Sequence, residues 1–217
     1  MWVTRFTPVA ILQALGIIIV AAAISGLLLQ ARFAPTPAKP SPIDIGFSQF
    51  MSLHHQQAIT MSQLLLDGRP TGLAPLARTI ATTQLLELGE MRGWLRLWEQ
   101  DLYPSNDDMT WMLLGRAPLS DELRQYLIDC GRSPQGMPGM ASPKQLQQLR
   151  HSSGRARDEL FVQLMLDHHE GALLMARFTA TEAALEPVRQ LAGRILLEQA
   201  KEIYQLRSIL TTLVRPQ

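Results

Sequence analysis

The chain has 217 residues, 47% hydrophobic and 18% charged, with 20 basic against 19 acidic side chains and a formal charge of +1. That balance excludes intrinsic disorder, which combines low hydrophobicity with high net charge. It also argues against nucleic acid as a partner, which calls for a basic excess gathered on one face. One cysteine, Cys130, allows neither an intrachain disulfide nor a cysteine-built zinc cage. Methionine stands out, with ten against five histidines, and the placement of these two residue types carries most of the information.

Residues 9–29 are apolar apart from Gln13 and Ser25, with Arg5 before them and Arg32 after. As a helix this run rises about 31 Å, the thickness of a bilayer core. The apolar part of a secretory signal is shorter, roughly 7–15 residues, and Leu29-Gln30-Ala31 is a poor cleavage site. Residues 1–33 therefore read as a transmembrane signal anchor in preference to a cleaved signal peptide. Arg5 on one side and Lys39 with Arg32 on the other specify orientation only weakly. Either way the rest of the chain is expected outside the cytoplasm, periplasmic or at the cell surface, and secreted if the signal is cleaved. Residues 34–42 follow as a semi-rigid linker containing Pro35, Pro37, Pro40 and Pro42.

From Ile43 onward no period-2 pattern of useful length occurs, and apolar residues recur at three and four, as in amphipathic helices. The spacing predicts long helices over about 46–67, 74–101, 153–181 and 186–213. Asp67-Gly68-Arg69-Pro70 stops the first, and Pro187 sits in the first turn of the fourth. Short helices are predicted at 120–129 and 142–152. Gly136-Met137-Pro138-Gly139-Met140 is a loop by composition.

A shift of 114 residues lays the first long helix on the third. Phe47, Gln49, Met51, His54, His55, Ala58 and Met61 meet Phe161, Gln163, Met165, His168, His169, Ala172 and Met175. Average residue usage gives about one identity over such a stretch. A shift of 115 matches Ile80, Gln84 and Glu87 with Ile195, Gln199 and Glu202. The expected fold is all-α, two copies of one helical hairpin (43–101 and 153–213) joined by a connection over 102–152. Two hairpins that each expose an apolar stripe bury them as a four-helix bundle, and the connection is long enough for the crossover of ferritin-like bundles.

Phe47, Met51, His54, His55, Ala58 and Met61 fall within an arc of about 120°, the stripe that faces a bundle interior. Buried imidazoles need partners for both ring nitrogens, and four together repel if all are charged. A metal ion answers both requirements, because neutral imidazole is a good ligand. Thioether sulfur is soft and selects Cu(I). Met51 lies one turn from His54 and His55. Met51 and Met61, about 15 Å apart along one helix, cannot share an ion. Either there is more than one site, or Met61 serves packing. Glu87 and Glu202 are expected to point inward and accept the far N–H of a ligating histidine, since hard carboxylates suit Cu(I) poorly.

Met109 and Met112 beside Trp111 read as core filler. Met137 and Met140 differ, because a Gly/Pro loop gives methionine little to pack on, which makes them candidates for mobile thioethers that capture or hand over copper. His151 has no partner in the repeat and is expected at the surface, and Cys130 is expected to be packed or inert. A di-iron oxidase calls for paired Glu-x-x-His motifs with facing glutamates. This chain has Gln-x-x-Glu instead. Metal-free packing of the stripe is the remaining alternative.

Phe47…Met51-x2-His54-His55-x2-Ala58-x2-Met61 resembles a bacterial family known as domain of unknown function 305, as do Met137-Pro138-Gly139-Met140 and Phe161…Met165-x2-His168-His169-Glu170-Gly171-Ala172-x2-Met175. The resemblance covers about residues 44–213, and the family includes CopM-like extracytoplasmic copper-binding proteins. It implies a ferritin-like four-helix bundle that binds copper through Met and His, serving copper tolerance or trafficking and not catalysis. The ligand candidates it carries over are Met51, His54, His55, Met61, Met91, Met165, His168, His169 and Met175. Leu206 stands where the repeat would match Met91.

Overall fold

In this computed structural model the described residues are 8–33, 39–106 and 108–214. They form seven α-helices and one 3₁₀ turn, with no strand among the described residues. The chain divides into two compact units, residues 1–38 and 39–217.

The first unit holds α1 (Pro8–Phe33), a helix of 26 residues with Leu12, Ile17, Ile18, Ile19 and Val20 exposed along it. Several α1 side chains lie outside the described residues. Among the described residues no helix is long and apolar enough to cross a membrane, so the expected transmembrane span rests on the sequence alone. Arg5 and residues 34–38 of the expected linker also lie outside the described residues.

The second unit begins earlier than the apolar spacing suggests. Helix α2 runs Pro42–Leu65 because Ser41 and Asp44 form a capping box with Pro42 in the first turn. The last proline of the expected linker is thus a helix-starting residue. Asp44 is fully buried and does more than cap. It accepts from Ser41 N at 2.7 Å, from Leu185 N at 3.0 Å and from Ala184 N at 3.3 Å. Helix α3 spans Ala74–Leu97 and stops short of the expected residue 101. Glu99 takes a left-handed φ of 57°, and Gln100 N returns to Leu95 O at 2.8 Å. That closure usually uses glycine, so nothing in the local sequence announces it.

The connection contains the 3₁₀ turn Thr110–Leu114, α4 (Asp121–Arg132) and α5 (Pro143–His151). Ser120 and Ser142 cap these two helices. Then come α6 (Gly154–Glu182) and α7 (Glu186–Val214). Helix α2 packs along α3, α6 along α7, and the two hairpins meet through α2 against α6. Arg157, with a fully buried side chain, fastens the α2–α3 turn to α6. Its Nη1 donates to Asp67 at 3.0 Å and its Nη2 to Pro70 O at 3.2 Å. Arg69 and Arg157 hold the Asp67 carboxyl well below the usual carboxylate range.

The core falls into two apolar clusters. The first gathers Phe47, Met51, Met91, Trp111, Met175 and Ile195, and the second Ala58, Met61, Ile80, Phe161, Met165 and Leu206. Met109 and Met112 are buried in the first, around Trp111, in the packing role their sequence context suggests.

Because Asp44 joins the start of α2 to the α6–α7 turn, Asp44→Ala strips acceptors from three amides. The expected loss is about 2–4 kcal/mol of unfolding free energy, measured by urea denaturation. A loss below about 0.5 kcal/mol contradicts this role.

Candidate metal centre

Helices α2 and α6 carry the two His-His pairs, and their crossing brings the pairs together. All four imidazoles are fully buried. The rings of His54 and His168 lie 3.7 Å apart between centroids, tilted by 37°. His168 and His169 have centroids 6.1 Å apart. The two halves thus converge inside one interior.

Three of the rings are oriented by their Nε2 atoms. His55 Nε2–H donates to Glu87 Oε2 at 2.7 Å, and His169 Nε2–H donates to Glu202 Oε2 at 2.6 Å. His168 Nε2–H donates to the His54 carbonyl oxygen at 2.9 Å. Each acceptor holds its proton on Nε2 and leaves the Nδ1 lone pair free. No protein group meets Nδ1 of His55, His168 or His169, and neither nitrogen of His54 has a protein partner. Buried polar atoms are rarely left so. Carboxylate or carbonyl on the far nitrogen and a free lone pair on the near one is the arrangement of metal-ligating histidines.

Electrostatics keeps His54 and His168 neutral. Burial pushes the pKa of His54 well below the usual 6.5, and the neighbouring His55 and His169 lower it further. Burial does the same to His168, reinforced by His54 and the other two imidazoles. Neutral imidazole needs no deprotonation before it binds an ion.

The thioethers stand beside this core. Met51, Met61, Met91, Met165 and Met175 are all fully buried. Met51, Met91 and Met175 share the first apolar cluster, and Met61 and Met165 share the second. Among the described residues no three His, Cys, Asp or Glu side chains are placed to hold a metal by themselves. Thioether sulfur beside imidazole nitrogen is a donor set of a kind that copper accepts.

The loop 136–140 departs from expectation. Met137 is 2% exposed and Met140 half-buried, so neither is a free arm. The backbone of the loop lies directly on α6. Gly139 has φ +79°, and a Cβ there would overlap the Asp167 carbonyl, while a Cβ on Gly171 would overlap the Pro138 carbonyl oxygen. On the α2 side, Gln57 Nε2 donates to Ala141 O at 2.9 Å, and Ala141 N donates to Gln57 Oε1 at 2.6 Å. Gln57 and Gly171 are equivalent positions of the repeat, offset by 114 in the sequence. The loop thus roofs the imidazoles, held on both sides. The glycine in place of Gln57 was the one sequence signal for it.

Cys130 is buried, with its thiol pushed up to about 11 by desolvation. His151 is exposed at the end of α5, away from the other four histidines. Gln84 and Gln199, one turn before Glu87 and Glu202, are buried with carboxamides that no protein group satisfies. The repeat displayed both glutamines, but only the fold shows that they are enclosed.

The sequence model of the family described as Domain of unknown function (DUF305) matches residues 44–210. A DUF305 protein from Streptomyces coelicolor is 31% identical, with TM-score 0.66, over 79% of this chain and 93% of that one. A DUF305 fragment from Deinococcus radiodurans is 24% identical, with TM-score 0.60, over 81% and 99%. CopM in its Cu(I)-bound form is also 24% identical, with TM-score 0.57, over 79% and 98%, a likeness of fold. A comparison with curated proteins finds no match.

Two expectations follow. In the metal-free protein, His54 and His168 stay neutral when folded but take up protons near pH 6.5 when unfolded. Their contribution to stability is complete above that pH and is lost as pH falls. The limiting slope is about 1.4 kcal/mol per pH unit for each ring. Urea unfolding between pH 7.5 and 5 should show this slope, reduced in His54→Gln; equal stability across that range contradicts it. Gly171→Ala should cost about 1–3 kcal/mol by pushing the roof off α6. Gly131→Ala, with open space around it, should be neutral or stabilising by up to about 1 kcal/mol.

Proposed function

The chain belongs to the DUF305 family, and on that premise we propose that it is a copper-binding protein that holds Cu(I) among Met and His donors. The observation that carries this reading is the cluster of four buried imidazoles with free Nδ1 atoms, flanked by buried thioethers on both sides. The chemistry is that of a carrier. Neutral donors take the ion without a bound proton having to leave, and a set of sulfur and nitrogen donors discriminates against the hard ions magnesium and calcium. Glu87 and Glu202 orient His55 and His169 through their Nε2 atoms. The role so read is buffering, trafficking or tolerance, in place of catalysis.

The scaffold of this function is a ferritin-like four-helix bundle of α2, α3, α6 and α7 with a long crossover. The apolar run at 9–29 supports a bundle held at the membrane and facing the outside of the cytoplasm. A metal store outside the cytoplasm meets copper before it enters the cell. CopM has been solved with Cu(I), Cu(II) and silver bound. This chain's thioethers favour the monovalent ion.

The test is an anaerobic Cu(I) titration of the full chain in mild detergent against a competing chelator, followed by elemental analysis. Uptake with Kd of about 1 μM or tighter is expected, equivalent to roughly 8 kcal/mol. It should weaken on acidification, as protons compete for imidazole. His54→Ala with His168→Ala should weaken it at least about 100-fold, roughly 2.7 kcal/mol. Unchanged uptake in the double variant removes these residues from the site, and no uptake by the unsubstituted chain favours metal-free packing.

A further inference from the structure

This inference rests on the copper reading and concerns how the copper is distributed. Because α2 and α6 cross in opposite directions, residues that match in the repeat end up at opposite ends of the crossing. Met51 of α2 shares a cluster with Met175 of α6, and Met61 shares the other with Met165. The two ends therefore start alike, each with one thioether from α2 and one from α6. The imidazole pairs lie between them in both helices.

What the other elements add is unequal. At the first end α3 contributes Met91, fully buried, and the connection contributes Met137, 2% exposed. At the second end the equivalent of Met91 is Leu206 on α7, fully buried, and the connection contributes Ala141 and Leu149. Leucine fills the volume of methionine but offers no lone pair. The roof contact between Gly171 and Pro138 fixes Met137 on the first side only.

We propose that the two ends are unequal soft-metal sites. The end built from Met51, Met91, Met137 and Met175 takes one monovalent soft ion, Cu(I) or Ag(I), tightly, its shell shared between these sulfurs and an imidazole nitrogen of the cluster between the two ends. The end built from Met61 and Met165 binds a second ion far more weakly, and Leu206 is the residue that sets the difference. The donors at both ends are neutral, so charge does not separate them. The number of thioethers does.

Anaerobic chelator-competition titration of the full chain with Cu(I), repeated with Ag(I) as a redox-inert probe, reads this directly. The unsubstituted chain should show one tight equivalent. Met91→Leu should weaken it at least about 10-fold, and Leu206→Met should raise the tight stoichiometry toward two. Met112→Leu, a neighbour in the same cluster beside Trp111, should leave the tight event unchanged. Thermal melting of each variant separates loss of binding from loss of fold, and the gain in Leu206→Met cannot come from misfolding. Two equal equivalents in the unsubstituted chain overturn the inference and leave the copper reading intact. So does tight binding that survives Met91→Leu, or that weakens as much in Met112→Leu. Absence of uptake of either ion by the unsubstituted chain defeats the copper reading, and this inference with it.

Discussion

His54 and His168 meet ring to ring where α2 crosses α6, with no water-accessible surface on either. Two charged imidazoles could not occupy that space, since desolvation and mutual repulsion both disfavour protonation. The crossing therefore demands neutral rings, and neutral rings present lone pairs. His168 spends its Nε2 proton on the His54 carbonyl, which joins the two helices at the same level as the rings. His55 and His169 spend theirs on Glu87 and Glu202 of the outer helices, so each hairpin orients its own histidine. Hairpin packing and imidazole orientation are one set of contacts. A change that rotates α3 or α7 also turns an imidazole.

The remaining contacts preserve this crossing. Asp44 fixes the end where α2 starts and α6 finishes. Arg157 fixes the opposite end, where α2 finishes and α6 starts. The roof loop lies between, pressed on α6 at Gly171 and hydrogen-bonded to α2 at Gln57. Duplication supplied two equivalent hairpins, but only one connection links them. That single loop cannot treat both ends alike, and it places Met137 in the first cluster and Ala141 in the second.

Much of this is visible in the sequence because the informative residues repeat. His54-His55 and His168-His169, each with methionines three or four before and six or seven after, announce two like helices with one inward stripe. The second-hairpin bounds follow from periodicity and from Pro187. Other features escape because their causes are not local. Pro42 reads as linker until the Ser41–Asp44 capping box is weighed, and the end of α3 depends on Glu99 in a conformation usually left to glycine. Met137 looks exposed because its loop is rich in glycine, yet those glycines allow the loop to lie against α6. Pairing Met51 with Met175, and not with its repeat mate Met165, requires the antiparallel crossing, which no spacing rule contains.

The central claim is that thioether sulfur and imidazole nitrogen from both halves bind the same ion. X-ray absorption at the copper edge, on the full chain loaded with one equivalent of Cu(I), examines that shell most directly. Sulfur and nitrogen scatterers together are predicted. A shell of nitrogen and oxygen alone, or of sulfur alone, contradicts the account.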